Sequence, residues 1–142
     1  MIRRKASAVW NGGLKDGRGT ITTDSGVLSK TQYSFGTRFE QGQGTNPEEL
    51  IAAAHAGCFA MALSAQLGEA GLKPESIQAA ATVTLEQTGS GWGVTKSHLD
   101  VTARIPGADQ AAFEKAANAA KEGCPISKLL KAEITMTAKL EV

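Results

Sequence analysis

The spacing of hydrophobic and polar positions changes character several times along the chain. At the C-terminal end Ile134, Met136, Ala138, Leu140 and Val142 alternate with Glu133, Thr135, Thr137, Lys139 and Glu141. That period of two predicts a strand with the first set inward and the second outward. Val83 and Leu85 alternate with Thr82, Thr84 and Glu86, and Leu99, Val101, Ala103 and Ile105 alternate with His98, Asp100, Thr102 and Arg104. Two more strands are therefore expected, joined by a turn at Thr88-Gly-Ser-Gly. The N-terminal third, Arg3–Trp10, Thr20–Thr23 and Val27–Phe35, reads as a three-stranded meander with glycine-rich turns. A loop rich in Gly and Gln, Gly36 to Gly44, follows it and contains Arg38 and Glu40.

From Leu50 to Leu67 the period is lost because the stretch is apolar on every face, with alanine dominant. Good helix formers and a strong start signal predict a helix. Asn46 caps, Pro47 takes the first helical position, and Glu48 and Glu49 face the helix dipole. Gly68, Gly71 and Pro74 end it. Asp109–Glu122 is amphipathic with Phe113, Ala116, Ala117 and Ala120 on one side, and Gly123-Cys-Pro opens a short helix through Lys131. The order βββ-α-ββ-α-α-β predicts an α+β fold rather than a doubly wound sheet. No internal repeat or linker appears, so residues 1–142 are read as a single domain.

A membrane span needs ~20 strongly apolar residues. The central helix reaches that length mostly with alanine and holds His55, Ser64 and Gln66, so it is read as a buried helix of a soluble protein. A helix apolar all round needs cover on all sides. One small antiparallel sheet and one amphipathic helix cover two of them, and a second copy of the chain would cover the rest. An obligate homodimer is expected.

The 142 residues include 42% hydrophobic and 20% charged, enough for a real core and against disorder. A net charge of +1 with scattered Lys and Arg argues against a nucleic-acid partner or an anionic membrane surface. Met1-Ile-Arg-Arg-Lys is followed by no apolar run, so a cytoplasmic protein is expected. The two Cys and two His match no zinc spacing, and neither a metal nor a cofactor is expected.

The two thiols remain to be explained. Cys58 lies inside Ala54-His-Ala-Gly-Cys-Phe-Ala-Met, where a lone Cys can be simply a small core hydrophobe. In apolar surroundings it needs a cation to become a nucleophile. Cys124 stands at the expected N-cap of a short helix, where the dipole favours thiolate; position alone selects Cys124 as the reactive one. Thr45 and Glu48 form one possible capping box, but Asn46 and Glu49 fit the same box and leave Glu48 free. His55, three residues before Cys58, reads either as its base or as a hydrogen-bonded core residue.

Thr37-Arg-Phe-Glu, then Gly44-Thr-Asn-Pro-Glu-Glu-Leu-Ile-Ala-Ala-Ala-His-Ala-Gly-Cys-Phe-Ala-Met-Ala-Leu-Ser, and later Gly123-Cys-Pro-Ile-Ser-Lys-Leu-Leu, resemble the motifs of the OsmC family of osmotically inducible peroxidases. The element order matches along essentially the whole chain. Arg38, just before the central helix, makes it similar to OsmC proper rather than to the sister group of organic hydroperoxide resistance proteins. The resemblance implies an intertwined homodimer, with antiparallel sheets around long buried central helices and two sites at the interface. It implies that Cys58 is the peroxidatic thiol, Cys124 the resolving thiol, and that Arg38 and Glu48 hold and activate the thiolate. It also implies an organic hydroperoxide as substrate, with H2O2 used less well, and a dihydrolipoamide-like dithiol as reductant.

The residues can perform that chemistry. Arg38 can lower the pKa of Cys58, and Glu48 can orient Arg38 through a bidentate pair. Glu48 and Cys58 are ten residues apart on one helix, about 15 Å along its axis. If both serve one thiolate, Glu48 comes from the partner subunit. Two other readings compete: a ligand-binding or stress dimer with inert buried thiols, and a hydrolase or acyltransferase using Cys58 with His55. No evident oxyanion hole accompanies the second.

Overall fold

Polar side chains decide where the first strands stop. The computed structural model describes Met1–Val142, and contacts divide the chain into two compact units, Met1–Leu50 and Ile51–Val142. In the first, β1 (Ala6–Asn11), β2 (Arg18–Thr23) and β3 (Thr31–Tyr33) form an antiparallel sheet in that order. The meander is as expected, but its third strand is three residues long instead of Val27–Phe35. Hydroxyls capture the missing part. Thr23 Oγ1 accepts from Leu28 N at 3.1 Å, and Thr22 Oγ1 accepts from Lys30 N at 3.0 Å, holding the segment as a turn.

The expected loop after β3 contains a short helix, α1 (Phe35–Phe39). Its signal is a capping box in which Ser34 and Thr37 satisfy each other's backbone amides; Thr at the third position does the work usually given to Glu or Gln. Arg38 therefore sits on a helix rather than in a loop.

Helix α2 (Pro47–Glu69) starts where Asn46 predicts: its Oδ1 accepts from Glu49 N at 2.7 Å. Then come β4 (Ser76–Thr88), β5 (Gly91–Arg104), α3 (Gln110–Gly123), α4 (Pro125–Leu129) and β6 (Glu133–Glu141). Strands β4 and β5 pair as an antiparallel hairpin, with a register shift at Thr84/Leu85. Strand β6 pairs with β5 in parallel, so this sheet is mixed rather than wholly antiparallel. The reason is the connection: α3 and α4 intervene between β5 and β6, and a crossover of that length returns the chain in the same direction. The whole is α+β, as the element order predicts.

The core of the second unit joins Phe59, Leu63 and Leu67 of α2 to Leu99, Val101 and Ala103 of β5 and Phe113, Ala116, Ala117 and Ala120 of α3. Each large side chain fully buried there contributes roughly 1.5–3 kcal/mol. On β6 the alternating set packs against this core except Val142, which lies past the strand end and is exposed. Beyond Leu50, α2 buries one stripe, His55, Phe59, Leu63 and Leu67, while Met61 is 77% exposed. By length and a mean hydropathy of 1.5, α2 could cross a membrane. Its Phe59, Leu63 and Leu67 belong instead to the core of its own chain.

Candidate active site

The sequence-selected residues form two pairs, one in each unit. The first is built by local hydrogen bonds. Gly44 has φ +124°, and a Cβ there would stand 2.3 Å from the Gln32 carbonyl oxygen, so only glycine lets the chain pass β3 this closely. Thr45 N then donates to that carbonyl at 2.9 Å. Asn46 caps α2 with its oxygen and donates from Nδ2 to the Thr37 carbonyl at 2.9 Å. One side chain thus ties the start of α2 to α1. With Asn46 capping and Thr45 Oγ1 donating to Glu49 at 2.8 Å, Glu48 is left free for Arg38, as the sequence allows.

Arg38 meets Glu48 through Nε at 3.0 Å and Nη2 at 2.8 Å. Both donors fall on Oε1, so the pair is not the fork-on-fork bidentate contact expected. The guanidinium leans on the Phe39 ring, 5.5 Å from its centroid, and this fixes its rotation. Glu48 is 8% exposed, and its buried Oε2 has no hydrogen-bond partner within the chain. A buried carboxylate oxygen left unpaired costs about 1–3 kcal/mol or more. Beside Arg38 a cavity of about 280 Å³ is lined by Trp10, Leu14, Tyr33, Phe35 and Phe39.

The second pair is built by tertiary packing. Cys58 on α2 and Cys124 at the α3–α4 junction are free thiols that hydrogen-bond to each other with sulfurs 2.9 Å apart. Cys124 ends α3 and caps α4, with Pro125 in the first turn. Proline has no amide hydrogen, so the amides of Ile126 and Ser127 are the first of α4 available to the sulfurs. Burial raises the Cys58 thiol, its bond with Cys124 raises it further, and the Ile126 amide offsets this only in part. Burial also acts upward on Cys124. It is outweighed there by Cys58, by the amide and hydroxyl of Ser127 and by the Ile126 amide, and the net direction is down. Within one chain the more acidic thiol is Cys124, as the helix-terminus argument predicts.

His55 is a core residue hydrogen-bonded at both nitrogens, Nδ1 to Ser97 Oγ at 2.7 Å and Nε2 to Ser127 Oγ at 2.8 Å. Burial lowers its pKa, so it is neutral at pH 7. Both serines escaped the sequence reading although each carried a signal. Ser97 has the inward parity of Leu99, Val101 and Ala103, and a polar residue at such a position demands a partner. Ser127 follows Cys124 by one helical turn.

Residues 40–139 match the family of OsmC-like proteins. The chain is 50% identical to peroxiredoxin OsmC of Escherichia coli over 140 residues, covering 99% of this chain and 98% of that one. The chain belongs to the OsmC family. It is also 29% identical to an organic hydroperoxide resistance protein of Xanthomonas axonopodis pv. citri, over 95% of this chain and 92% of the relative. The crystal structure of the organic hydroperoxide resistance protein OhrB of Bacillus subtilis superposes with a TM-score of 0.68 at 27% identity, covering 96% of this chain and 98% of that one. The OsmC-family motif thus carries two thiols in contact and an ion pair at the start of the central helix.

Proposed function

We propose that this OsmC-family thiol peroxidase reduces organic hydroperoxides to alcohols at Cys58, with Cys124 resolving and with Arg38 and Glu48 activating. The observation that carries the reading is the 2.9 Å separation of the two sulfurs. It lies less than an ångström from the ~2.04 Å of a disulfide.

The Cys58 thiolate attacks the distal peroxide oxygen. The O–O bond breaks, Cys58 becomes a sulfenic acid, and the departing alkoxide takes a proton to leave as the alcohol. The Cys124 sulfur then displaces hydroxide from Cys58, which leaves with the Cys124 proton as water, and the disulfide forms. A dithiol reductant of the dihydrolipoamide type restores both thiols by two exchanges and is itself oxidised to a disulfide. An organic tail suits the aromatic cavity beside Arg38, and the relatives' names point to organic hydroperoxides.

The working form in this reading is a homodimer. Three observations support it: the bare apolar faces of α2, the unpartnered Oε2 of Glu48, and the ten residues of one continuous helix between Glu48 and Cys58. Arg38, held by Glu48, is then the cation that Cys58 lacks among the groups acting on it in its own chain.

Single-turnover mass spectrometry with cumene hydroperoxide tests the chemistry. The wild-type chain is expected to lose two hydrogens as the disulfide forms. Cys124→Ser is expected to gain oxygen on Cys58, and Cys58→Ser to consume no peroxide. Sulfenic acid on Cys124 instead, or no disulfide in the wild type, overturns the assignment.

A further inference from the structure

The polar line Ser97–His55–Ser127 runs through the core, and no step above uses it. His55 and Ser97 are fully buried and Ser127 nearly so. His55 and Cys58 are three residues apart on α2, and Cys124 and Ser127 are three apart on the cap and first turn of α4. Residues at that spacing lie on one face of a helix. His55 Nε2 meets Ser127 Oγ at 2.8 Å, and the sulfurs of Cys58 and Cys124 meet at 2.9 Å. The two contacts are therefore rungs between the same two helices, about 4.5 Å apart along each axis. A third bond, His55 Nδ1 to Ser97 Oγ at 2.7 Å, ties the polar rung to β5. Helix α4 has little else to seat it. From Cys124 to Leu129 only Cys124 and Ser127 are buried, and Leu129 is 72% exposed. A helix of five residues cannot hold its own place, and a thiol is a weak hydrogen-bonding group. The bond from His55 is the directional one.

We propose that His55 is a positioning residue for the resolving step: its bond to Ser127, anchored on Ser97, seats α4 on α2 and keeps the Cys124 sulfur behind that of Cys58. This rests on the reading that Cys124 resolves the Cys58 sulfenic acid. In that step the S–S bond forms and the S–O bond of Cys58 breaks. Hydroxide departs and leaves as water with the Cys124 proton. Displacement at sulfur runs in line, so the attacking sulfur has to stand opposite the departing oxygen. The sulfurs close from 2.9 Å to the ~2.04 Å of a disulfide. A rung one turn away holds the line of approach through a movement of that size. Without it α4 is free to drift, and a misplacement of about 1 Å costs on the order of a hundredfold. The preceding attack on peroxide involves the Cys58 sulfur and not α4, so the rung acts on the second step.

The test is oxidation by cumene hydroperoxide over a range of concentrations, read by mass. A second peroxide competes with Cys124 for the sulfenic acid and gives sulfinic acid, so the concentration that over-oxidises half of Cys58 tracks the rate of resolution. Ser127→Ala is expected to lower that concentration by about tenfold or more. His55→Asn, whose amide ends near the Nδ1 position, should match it. His55→Gln, whose amide reaches the Nε2 position, should recover most of the loss, a split that general loosening of the core would not give. Ser127→Ala and His55→Asn combined should be no worse than the worse single variant, since both break one rung. Losses that multiply would show Ser127 acting without His55 and overturn the proposal. If the His55 variants do not fold, Ser97→Ala, which removes only the anchor, takes their place with an expected loss of about threefold. A wild type that forms no disulfide overturns the functional reading itself. A wild type that forms it, with the half-oxidation concentration unmoved by Ser127→Ala, overturns the role of His55.

Discussion

Arg38 and Glu48 meet across ten residues of chain, whereas Cys58 and Cys124 meet across sixty-six. The first pair is charged and held by caps, a glycine and an aromatic face, all within a few turns of sequence. The second is neutral and held by a helix stripe, a crossover and a parallel strand. Short-range polar chemistry suffices to aim an ion pair, while bringing two small apolar thiols together requires a finished core. In the proposed reaction the division also separates the tasks: one region supplies fixed charge, and the other supplies reactive sulfur in a site that disfavours charge on Cys58.

Removing the charge while leaving the thiols untouched gives the largest effect in the proposed reaction. With Arg38→Met the Cys58 pKa should rise to about the free-thiol value of 8.5 or above, leaving about 3% thiolate or less at pH 7. Activity should fall by about thirtyfold near pH 7 and recover in part as pH rises, which a pH–rate profile reads directly. An unchanged profile would mean that the thiol pair activates itself. A smaller effect tests whether the two regions serve each other across a dimer. When Glu48→Ala and Cys58→Ser chains are mixed and refolded, random pairing gives half heterodimers, each with one intact site. Roughly a quarter of wild-type activity should return, and none if Glu48 acts within its own chain. Smallest is the loss of the side chain that aligns α1 with α2. Asn46→Ala should destabilise the protein by about 1 kcal/mol in urea unfolding and lower activity through Arg38 with the thiol contact intact.

Much of this was legible in the residues. Asn46, Pro47 and Glu49 announced the start of α2, and alternation announced β4, β5 and β6, because caps and periodicity are local. The freeing of Glu48 followed from the same capping logic. The helix carrying Arg38 was missed because its box uses Thr37 in place of an acid, and the third strand was overextended because hydroxyl bonds from Thr22 and Thr23 are invisible to pattern. The parallel pairing of β6 is a property of topology that alternation leaves open. His55 was legible as a core residue; its serine partners were not, since they lie 42 and 72 residues away.

The parallel pairing of β5 with β6 has a consequence for the order in which the molecule matures. Cys124 reaches Cys58 through a crossover that is closed by the last strand of the chain, and long-range parallel pairing is among the slower folding events. At a synthesis rate of about 5–20 residues per second, the Cys58 thiol emerges several seconds before its partner is made. The ion pair can form as soon as α1 and the first turn of α2 are out. A ribosome-bound chain therefore carries the Cys58 thiol well before Cys124 exists to meet it, and the contact of the two thiols is among the last features of the fold to be assembled.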